Sequence, residues 1–325
     1  GDRAPSAQVA GAAAAARQGY PVLLVGDSAR LEPLVPRDVD LPILHADEVV
    51  EMHDAPSDAI RRKEGASIRV AVQAIKDGQA CAAVSCGNTG AAMAASMIVL
   101  GRVPGVDRPA VMTLVPRVDG GSLVLLDLGA NVDCKPMLLA QFAVLGHAFA
   151  QDVLHLSHPR VGLVSNGAES GKGNDQVRRA ADLVSKLPLR FVGQVEPTVA
   201  FDGGCDVLVC DGFVGNIMLK TVESTVDVVG SLLKEELNRR PSAKVGAWLL
   251  QGAFHRYRVR TDYAAIGGAL LLGVNGVVVV GHGRSDEDAV CAAIRQAHHC
   301  AAERLAERLH QAMSRDLEPT EPPTC

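Results

Sequence analysis

The chain has 325 residues, of which 48% are apolar, 21% are charged and 3% are aromatic, with a formal net charge of −5 at pH 7. A chain of this length buries about 75% of its unfolded surface, which supports one large domain or two smaller ones. The composition excludes a disordered chain, a collagen-like repeat and a disulfide scaffold. The acidic balance also argues against nucleic acid as a partner, because binding to phosphates needs a basic surface.

Short apolar strands alternate with helical segments along most of the chain, which is typical of a mostly parallel α/β sheet with helices on both faces. The predicted strands are 21–25, 41–45, 82–85, 110–114, 123–127, 161–164, 191–192, 207–210 and 277–280. The predicted helices are 5–18, 67–77, 89–100, 136–149, 175–187, 217–239, 244–256 and 287–315. We expect one domain over residues 1–317, with a helical excursion near 240–262 and a disordered tail at 318–325.

Residues 264–281 carry no formal charge and reach the lower length limit for a transmembrane helix. Several glycines interrupt this segment, and Asn275-Gly276 is a turn signal directly before the β-branched run Val277–Val280. We therefore predict a short buried helix, a turn and a buried strand instead of a membrane span. No signal peptide is visible and the cysteines form no paired motif, so we expect a cytosolic protein with reduced thiols.

Four segments share one design, in which a buried strand ends, small residues follow, and a helix or polar loop begins. They are residues 85–90, 127–133, 165–174 and 211–216. In an α/β sheet such loops gather at the carboxyl edge of the strands, where ligands bind. Free N–H groups and the helix dipole favour anions there. The repeated design therefore predicts a site for an anionic ligand, although no known nucleotide-binding fingerprint fits.

Lys172 is the most informative cation, because Gly171 and Gly173 flank it and give its loop the freedom to reach a ligand. The alternative is an ordinary solvated lysine. Asn216 lies at the start of the predicted helix 217–239 and could contact a ligand or only cap that helix. Ser85 loosely resembles the serine of a nucleophile elbow, but a capping or anion-contacting hydroxyl is the simpler interpretation.

Two surface patches could contact partners. The first is the compact basic group Arg61, Arg62 and Lys63. The second, within 242–263, mixes apolar and cationic side chains and includes Trp248, Leu249, Phe254, Arg256 and Arg258. An amphipathic helix of this kind could lie on an anionic membrane surface or form a dimer contact.

The motifs, in their order along the chain, resemble those of the bacterial phosphate acyltransferase family of phospholipid synthesis. The matching stretches are residues 1–5, 45–50, 87–91, 108–110, 126–133, 172–174, 211–216 and 282–283. The resemblance implies a three-layer α/β/α fold akin to isocitrate and isopropylmalate dehydrogenases. It also implies a homodimer attached peripherally to the inner face of the cell membrane. The implied reaction makes acyl phosphate, for a downstream glycerol-3-phosphate acyltransferase, from inorganic phosphate and an acyl-[acyl-carrier protein].

The same resemblance implies roles for individual residues. Lys172 and Asn216 match the presumed catalytic pair, which would polarise the thioester carbonyl. The predicted contacts to phosphate or substrate are Ser85, Gly87, Asn88, Thr89, Asn131 and Asp211. Neither a cofactor nor a metal is expected, and the acidic carrier protein would be steered by the basic groups at 61–63 or 256–260.

The chain also departs from the family pattern. The family has a β-strand before its Gly-Gly-Asp motif, whereas this sequence begins at Gly1-Asp2. If that strand is truly absent, we expect an exposed strand at the side of the sheet. Ser165-Asn166-Gly167 and Val199 replace the usual residues near the site. Two other functions remain as alternatives. They are a non-catalytic carrier-protein or lipid-binding module and an NAD-dependent dehydrogenase of the related fold.

Overall fold

The computed structural model describes residues 1–51, 53–169, 171–239, 241–261 and 267–317. The helices are α1 Ser6–Arg17, α2 Ser28–Leu31, α3 Pro56–Arg62, α4 Ser67–Lys76, α5 Thr89–Val99, α6 Pro136–Asp152, α7 Asp175–Val184, α8 Pro197–Phe201, α9 Gly212–Arg239, α10 Pro241–Leu249, α11 Gln251–Thr261, α12 Glu287–Ala302 and α13 Leu305–Leu317. The strands are β1 Leu24–Gly26, β2 Ile43–His45, β3 Ala82–Ser85, β4 Ala110–Pro116, β5 Ser122–Leu126, β6 Arg160–Val164, β7 Arg190–Val195, β8 Val207–Val209, β9 Ala269–Leu272 and β10 Val277–Val280. The predicted tail at 318–325 lies outside the described residues.

Eight strands form one mixed sheet in the order β3-β10-β9-β4-β5-β8-β6-β7, and β1 and β2 form a separate parallel pair. Strand β3 is parallel to β10, and β5, β8, β6 and β7 are parallel to one another. Antiparallel pairing of β9 with β10 and β4, and of β4 with β5, reverses the direction between these two groups. Strands β3 and β5 therefore run in opposite directions, and their carboxyl ends lie at opposite edges of the sheet. Here an edge is the row of strand ends and not the outermost strand.

The prediction of a helix before the turn at 275–276 was wrong. Residues Ala269–Leu272 form strand β9, which pairs with β10 on one side and β4 on the other. Both neighbours and both sheet faces bury its three leucines. A short run of apolar residues with no polar face has the same pattern in a buried strand and in a buried helix, so periodicity could not separate them.

Helices cover both faces of the sheet, which gives the expected three layers. Alternate residues of β5 point to opposite faces. Val124 and Leu126 belong to the core cluster that includes residues of α6, α12 and α13, whereas Leu123 and Leu125 belong to the cluster that includes residues of α4 and α5. On this second face the first turns of α9 complete the cover through Val214, Met218 and Leu219.

A buried ion cluster joins the starts of β6 and β8 to the β4–β5 hairpin. The carboxylate of Asp206 accepts hydrogen bonds from Arg117 Nη1 at 2.7 Å and from Arg160 Nε and Nη2, both at 2.9 Å. The backbone N–H of Arg160 also donates to it. Because one carboxylate holds three segments together, we infer that this cluster fixes the sheet edge opposite the carboxyl ends of β5, β6 and β8.

Helix α9 continues beyond the sheet and carries α10 and α11, which fall in the predicted excursion. Apolar side chains are exposed on the outer part of α9 and on α10, namely Val228, Leu232, Trp248 and Leu249. Among the helices described, none is both long enough and apolar enough to cross a membrane.

Candidate active site

Three of the four predicted loops meet at one edge of the sheet. The loops 127–133, 165–174 and 211–216 follow β5, β6 and β8, which are adjacent parallel strands. The loop 85–90 follows β3, which is separated from β5 by three strands and ends at the opposite edge. The expectation that all four loops share one edge was therefore wrong, because β9 and β4 reverse the strand direction between them.

The carboxylate of Asp127 organises the three-loop edge. It is fully buried and accepts four hydrogen bonds: Oδ1 from the backbone N–H of Val111 (2.9 Å) and Ala130 (3.1 Å), and Oδ2 from the backbone N–H (2.6 Å) and Nδ2 (3.0 Å) of Asn131. Burial raises the pKa of Asp127, and these donors oppose that rise by stabilising the carboxylate. Asp127 thus fixes the turn after β5 as a rigid support for neighbouring loops.

Asn131, which the sequence predicts as a ligand contact, has a buried side chain in this support. Its Nδ2 donates to the carbonyl of Pro109 at 2.8 Å as well as to Asp127. Its own carbonyl accepts a 2.7 Å hydrogen bond from the N–H of Gly212. Asn131 therefore ties the turn after β5 to the start of α9, and a direct contact with ligand stays a prediction.

Helix α9 begins earlier than the sequence predicts. Asp211 caps it, with Oδ1 accepting from the N–H of Val214 at 2.8 Å, so Asn216 lies inside the helix and is not its N-cap. Gly212 makes this position possible, since a Cβ there would stand 2.8 Å from the Cα of Gly129. Asn216 is exposed beside the turn after β5: a Cβ on Gly129 would lie 3.7 Å from the Cβ of Asn216.

The loop after β6 presents Lys172 to solvent from a hydrogen-bonded turn. The N–H of Lys172 donates to the carbonyl of Glu169 at 2.9 Å, and the N–H of Gly173, at φ +77°, donates to Asn166 Oδ1 at 2.9 Å. The lysine stem covers Gly167, where a Cβ would stand only 2.8 Å from its Cγ. Because β6 and β8 are neighbours, Lys172 and Asn216 project from adjacent loops of the same edge.

At the opposite edge, the loop after β3 is organised around the start of α5. Asn88 caps this helix through Oδ1, which accepts from the N–H of Ala91 at 3.0 Å, and Thr89 is exposed in the first turn. Ser85 Oγ accepts from the N–H of Gly87 at 3.3 Å. Burial raises the pKa of the Cys86 thiol, which disfavours a thiolate nucleophile. Anion binding by this loop stays a prediction.

The predicted partner surfaces have different environments. Arg61 and Arg62 are exposed, whereas Lys63 is paired with Asp54 at 2.7 Å and also donates to the carbonyl of Val49. On the excursion, Trp248, Leu249 and Arg256 are exposed and Phe254 is half-buried. The Arg258 side chain lies outside what the structure describes.

Residue types alone did not identify the turn after β5 as the structural support for the start of α9. A buried aspartate following a strand gave the signal, but its four donors come from β4 and from its own turn, which only the fold brings together. Within the described part of the chain, no group of three or more His, Cys, Asp or Glu side chains is arranged to hold a metal ion.

Replacing Asp127 with Asn is expected to lower the free energy of unfolding by about 2–3 kcal/mol, because the new amide group must point at N–H donors. Activity should fall with it, since the turn supports α9 and Asn216. Denaturant unfolding and steady-state kinetics measure both effects. The matched control is Asp133→Asn, which changes an exposed aspartate of the same loop. Equal stability of the two variants would contradict the supporting role of Asp127.

Comparisons with known proteins agree with this architecture. The family model described as "Fatty acid synthesis protein" matches residues 1–308. A phosphate acyltransferase of Pelobacter propionicus is 47% identical over 319 residues, covering 97% of this chain and 92% of that relative. One of Geobacter sulfurreducens is 45% identical over 322 residues, covering 98% and 93%.

Solved structures with lower sequence identity share the fold. A phosphotransacetylase from Streptococcus pyogenes has a TM-score of 0.62 at 20% identity and covers 92% of each chain. A putative 4-hydroxythreonine-4-phosphate dehydrogenase from Salmonella typhimurium has a TM-score of 0.50 at 12% identity, covering 90% of this chain and 94% of its own. The predicted relationship to a dehydrogenase-like three-layer fold is thus confirmed. With the extended match to the family model and the close relatives, it follows that the chain belongs to the fatty acid synthesis protein family, whose curated relatives are phosphate acyltransferases.

Proposed function

We propose that the protein transfers an acyl group from acyl-[acyl-carrier protein] to inorganic phosphate and releases acyl phosphate. The observation that carries the proposal is the meeting of three loops at one sheet edge, where Asn216 lies beside a turn fixed by Asp127 and Lys172 projects from the loop after β6. The close relatives named phosphate acyltransferases support the same chemistry.

The reaction needs little acid or base catalysis. A phosphate oxygen attacks the thioester carbonyl carbon, the new C–O bond forms, and the C–S bond breaks after a tetrahedral intermediate. The proton of hydrogen phosphate ends on the departing thiol, so the products are acyl phosphate and free carrier-protein thiol. Phosphate is already ionised at neutral pH, and the thiol has an ordinary pKa of roughly 8.5. The protein must chiefly align two anionic reactants and stabilise the oxyanion.

Lys172 and Asn216 supply that stabilisation in this mechanism. The ammonium group of Lys172 offers a positive charge, and the amide of Asn216 offers a directed N–H donor, to the oxygen on which negative charge develops. The turn at Gly173 restrains the lysine loop, and Gly212 allows α9 to approach the turn after β5. Both groups are thereby positioned before the substrate binds. The loop with Ser85, Gly87, Asn88 and Thr89 ends at the opposite edge of the sheet, so phosphate contact by these residues is a prediction for a separate site within one subunit.

The proposal is tested by incubating the protein with palmitoyl-[acyl-carrier protein] and following release of the free thiol, with and without phosphate. Phosphate-dependent release supports the reaction. Release at the same rate without phosphate would instead indicate thioester hydrolysis. No release from the folded protein would favour the non-catalytic binding module.

We further propose that the protein is a homodimer and that its outer helices contact an anionic membrane from the cytoplasmic side. The exposed apolar side chains Phe213, Ile217, Val228 and Leu232 recur along α9 at helical spacing, as a helix packed on a second copy requires. On α10, Trp248 and Leu249 are 66% and 69% exposed, as expected of side chains that insert among lipid headgroups.

Replacing Trp248 and Leu249 together with Ser is expected to reduce co-sedimentation with anionic phospholipid vesicles severalfold, because it removes the apolar contact. Vesicles of neutral phosphatidylcholine provide the control for the electrostatic part of the binding. Light scattering of the same variant gives its oligomeric state. Unchanged vesicle binding together with a change from dimer to monomer would assign this patch to the dimer contact instead.

A further inference from the structure

An apolar cavity of about 230 Å³ lies between helix α9 and the sheet. Its walls come from the end of β4, the end of α8 and one side of α9, and they include Val115, Phe201, Leu219, Val222, Glu223 and Val226. The surrounding side chains are apolar except for one carboxylate. Such a lining favours an apolar ligand, because a polar group placed there would lose its hydrogen bonds to water.

The carboxylate in the lining has a cationic partner. Glu223 Oε2 accepts a 2.8 Å hydrogen bond from Lys220 Nζ, and the side chains are 12% and 51% exposed, respectively. The half-exposed lysine places this ion pair at the rim of the cavity. Because the ion pair lies at the rim, the inner walls of the cavity remain apolar, and a ligand needs no charged group to bind there.

Helix α9 runs from the predicted catalytic edge to the cavity, which lies towards the opposite edge of the sheet because the end of β4 pairs with the start of β5. Asn216, Leu219 and Glu223 follow one another at intervals of three and four residues, so they lie along one side of the helix. From Asn216 to Val226 the helix rises about 15 Å. A linear ligand whose reacting end lies at Asn216 would therefore pass Leu219 first and would have to extend along α9 to fill the cavity.

We propose that this cavity binds the fatty acyl chain of the thioester substrate, with the carbonyl at Asn216 and the chain running beneath α9 towards Phe201. The inference rests on the proposed function, which supplies such a chain. The volume equals roughly seven water molecules of the liquid, so it holds part of a long chain and is barely reached by a short one. The cavity thus gives the enzyme a preference for long acyl groups, since each buried methylene adds to binding.

The test fills the cavity by the substitution Val222→Trp. Displacing about two methylenes corresponds to roughly a tenfold loss of binding. We therefore expect kcat/KM for palmitoyl-[acyl-carrier protein] to fall about tenfold or more relative to butyryl-[acyl-carrier protein]. The control Ser185→Trp adds the same side chain at an exposed position just beyond α7, outside α9, and should leave the preference unchanged. Val226→Phe makes a smaller change in the same cavity and replaces Val222→Trp if that variant does not fold.

A second readout separates the cavity from the reaction. Calorimetry without phosphate measures binding of S-palmitoyl pantetheine to the wild type and to both tryptophan variants. Selective loss of binding in Val222→Trp supports the cavity even if the wild type makes no acyl phosphate, in which case the proposed reaction alone has failed. Wild-type turnover with unchanged chain preference and unchanged binding in Val222→Trp and Val226→Phe would overturn the inference.

Discussion

The Lys172→Ala variant is expected to lose activity by a factor of about 10²–10³ in kcat while keeping its fold, because it lacks the charge that stabilises the oxyanion. The side chain is exposed, with its stem over Gly167, so its removal should leave no buried cavity. Steady-state thiol release from palmitoyl-[acyl-carrier protein] gives kcat and KM, and circular dichroism verifies the fold. An unchanged KM with a lowered kcat would place the effect in the transition state.

The control for charge is Lys186→Ala, which removes another exposed lysine just beyond α7. This variant should retain wild-type turnover. Asn216→Ala should reduce kcat as Lys172→Ala does, by a factor of about 10²–10³ if its amide also contacts the oxyanion. Near-normal turnover of both Lys172→Ala and Asn216→Ala would remove the catalytic pair from the mechanism.

Replacing Asp206 with Ala is expected to lower the free energy of unfolding by about 3 kcal/mol at pH 7, because Arg117 and Arg160 would lose their shared buried partner. The side chains of Asp206 and Arg117 are each 11% exposed, so water replaces the lost contacts poorly. Urea unfolding at constant pH measures the difference. The control is Asp119→Ala, which removes the exposed second partner of Arg117 and should have little effect.

The contribution of Asp206 should also depend on pH. Burial by itself raises the pKa of this carboxyl, but the hydrogen bonds from Arg160 and Arg117 outweigh burial and hold the pKa well below its usual range. Its stabilising effect is therefore complete above the unfolded pKa of about 3.9 and declines as the pH falls below that value. The stability difference between wild type and Asp206→Ala should shrink in acid. A constant difference from pH 7 to pH 2 would contradict this account.

Much of the fold could be predicted because strands and helices left clear local patterns. The runs at 82–85 and 277–280 are apolar and β-branched or small, and each forms the predicted strand. Strand β9 could not be identified in this way, because Ala269–Leu272 is buried by partners from distant parts of the chain. Strand β9 is one of the two strands that reverse the direction of the sheet. Because the sequence did not identify it, the sequence also could not show that the loops after β3 and β5 lie at opposite edges.

The sequence identified the loops of the candidate site but could not determine how they are combined. Glycines and polar residues correctly predicted where each of these strands ends and its loop begins. Their grouping depends on strand direction, and for this reason the Ser85 loop was placed at the wrong edge. Asn216 and Asp211 show a similar limit. Both residue types suit a helix cap, and only the hydrogen bond from the N–H of Val214 to Asp211, with α9 beginning at Gly212, shows that Asp211 takes that role.

Phosphorus-31 NMR of a reaction containing palmitoyl-[acyl-carrier protein], phosphate and the protein observes the proposed chemistry itself. The account predicts an acyl phosphate resonance that grows in proportion to released thiol and does not form with the Lys172→Ala variant. Free palmitate formed without any acyl phosphate, even at the earliest times and in the presence of an acyl phosphate standard that survives, would contradict it. That result would make water, and not phosphate, the acceptor of the acyl group.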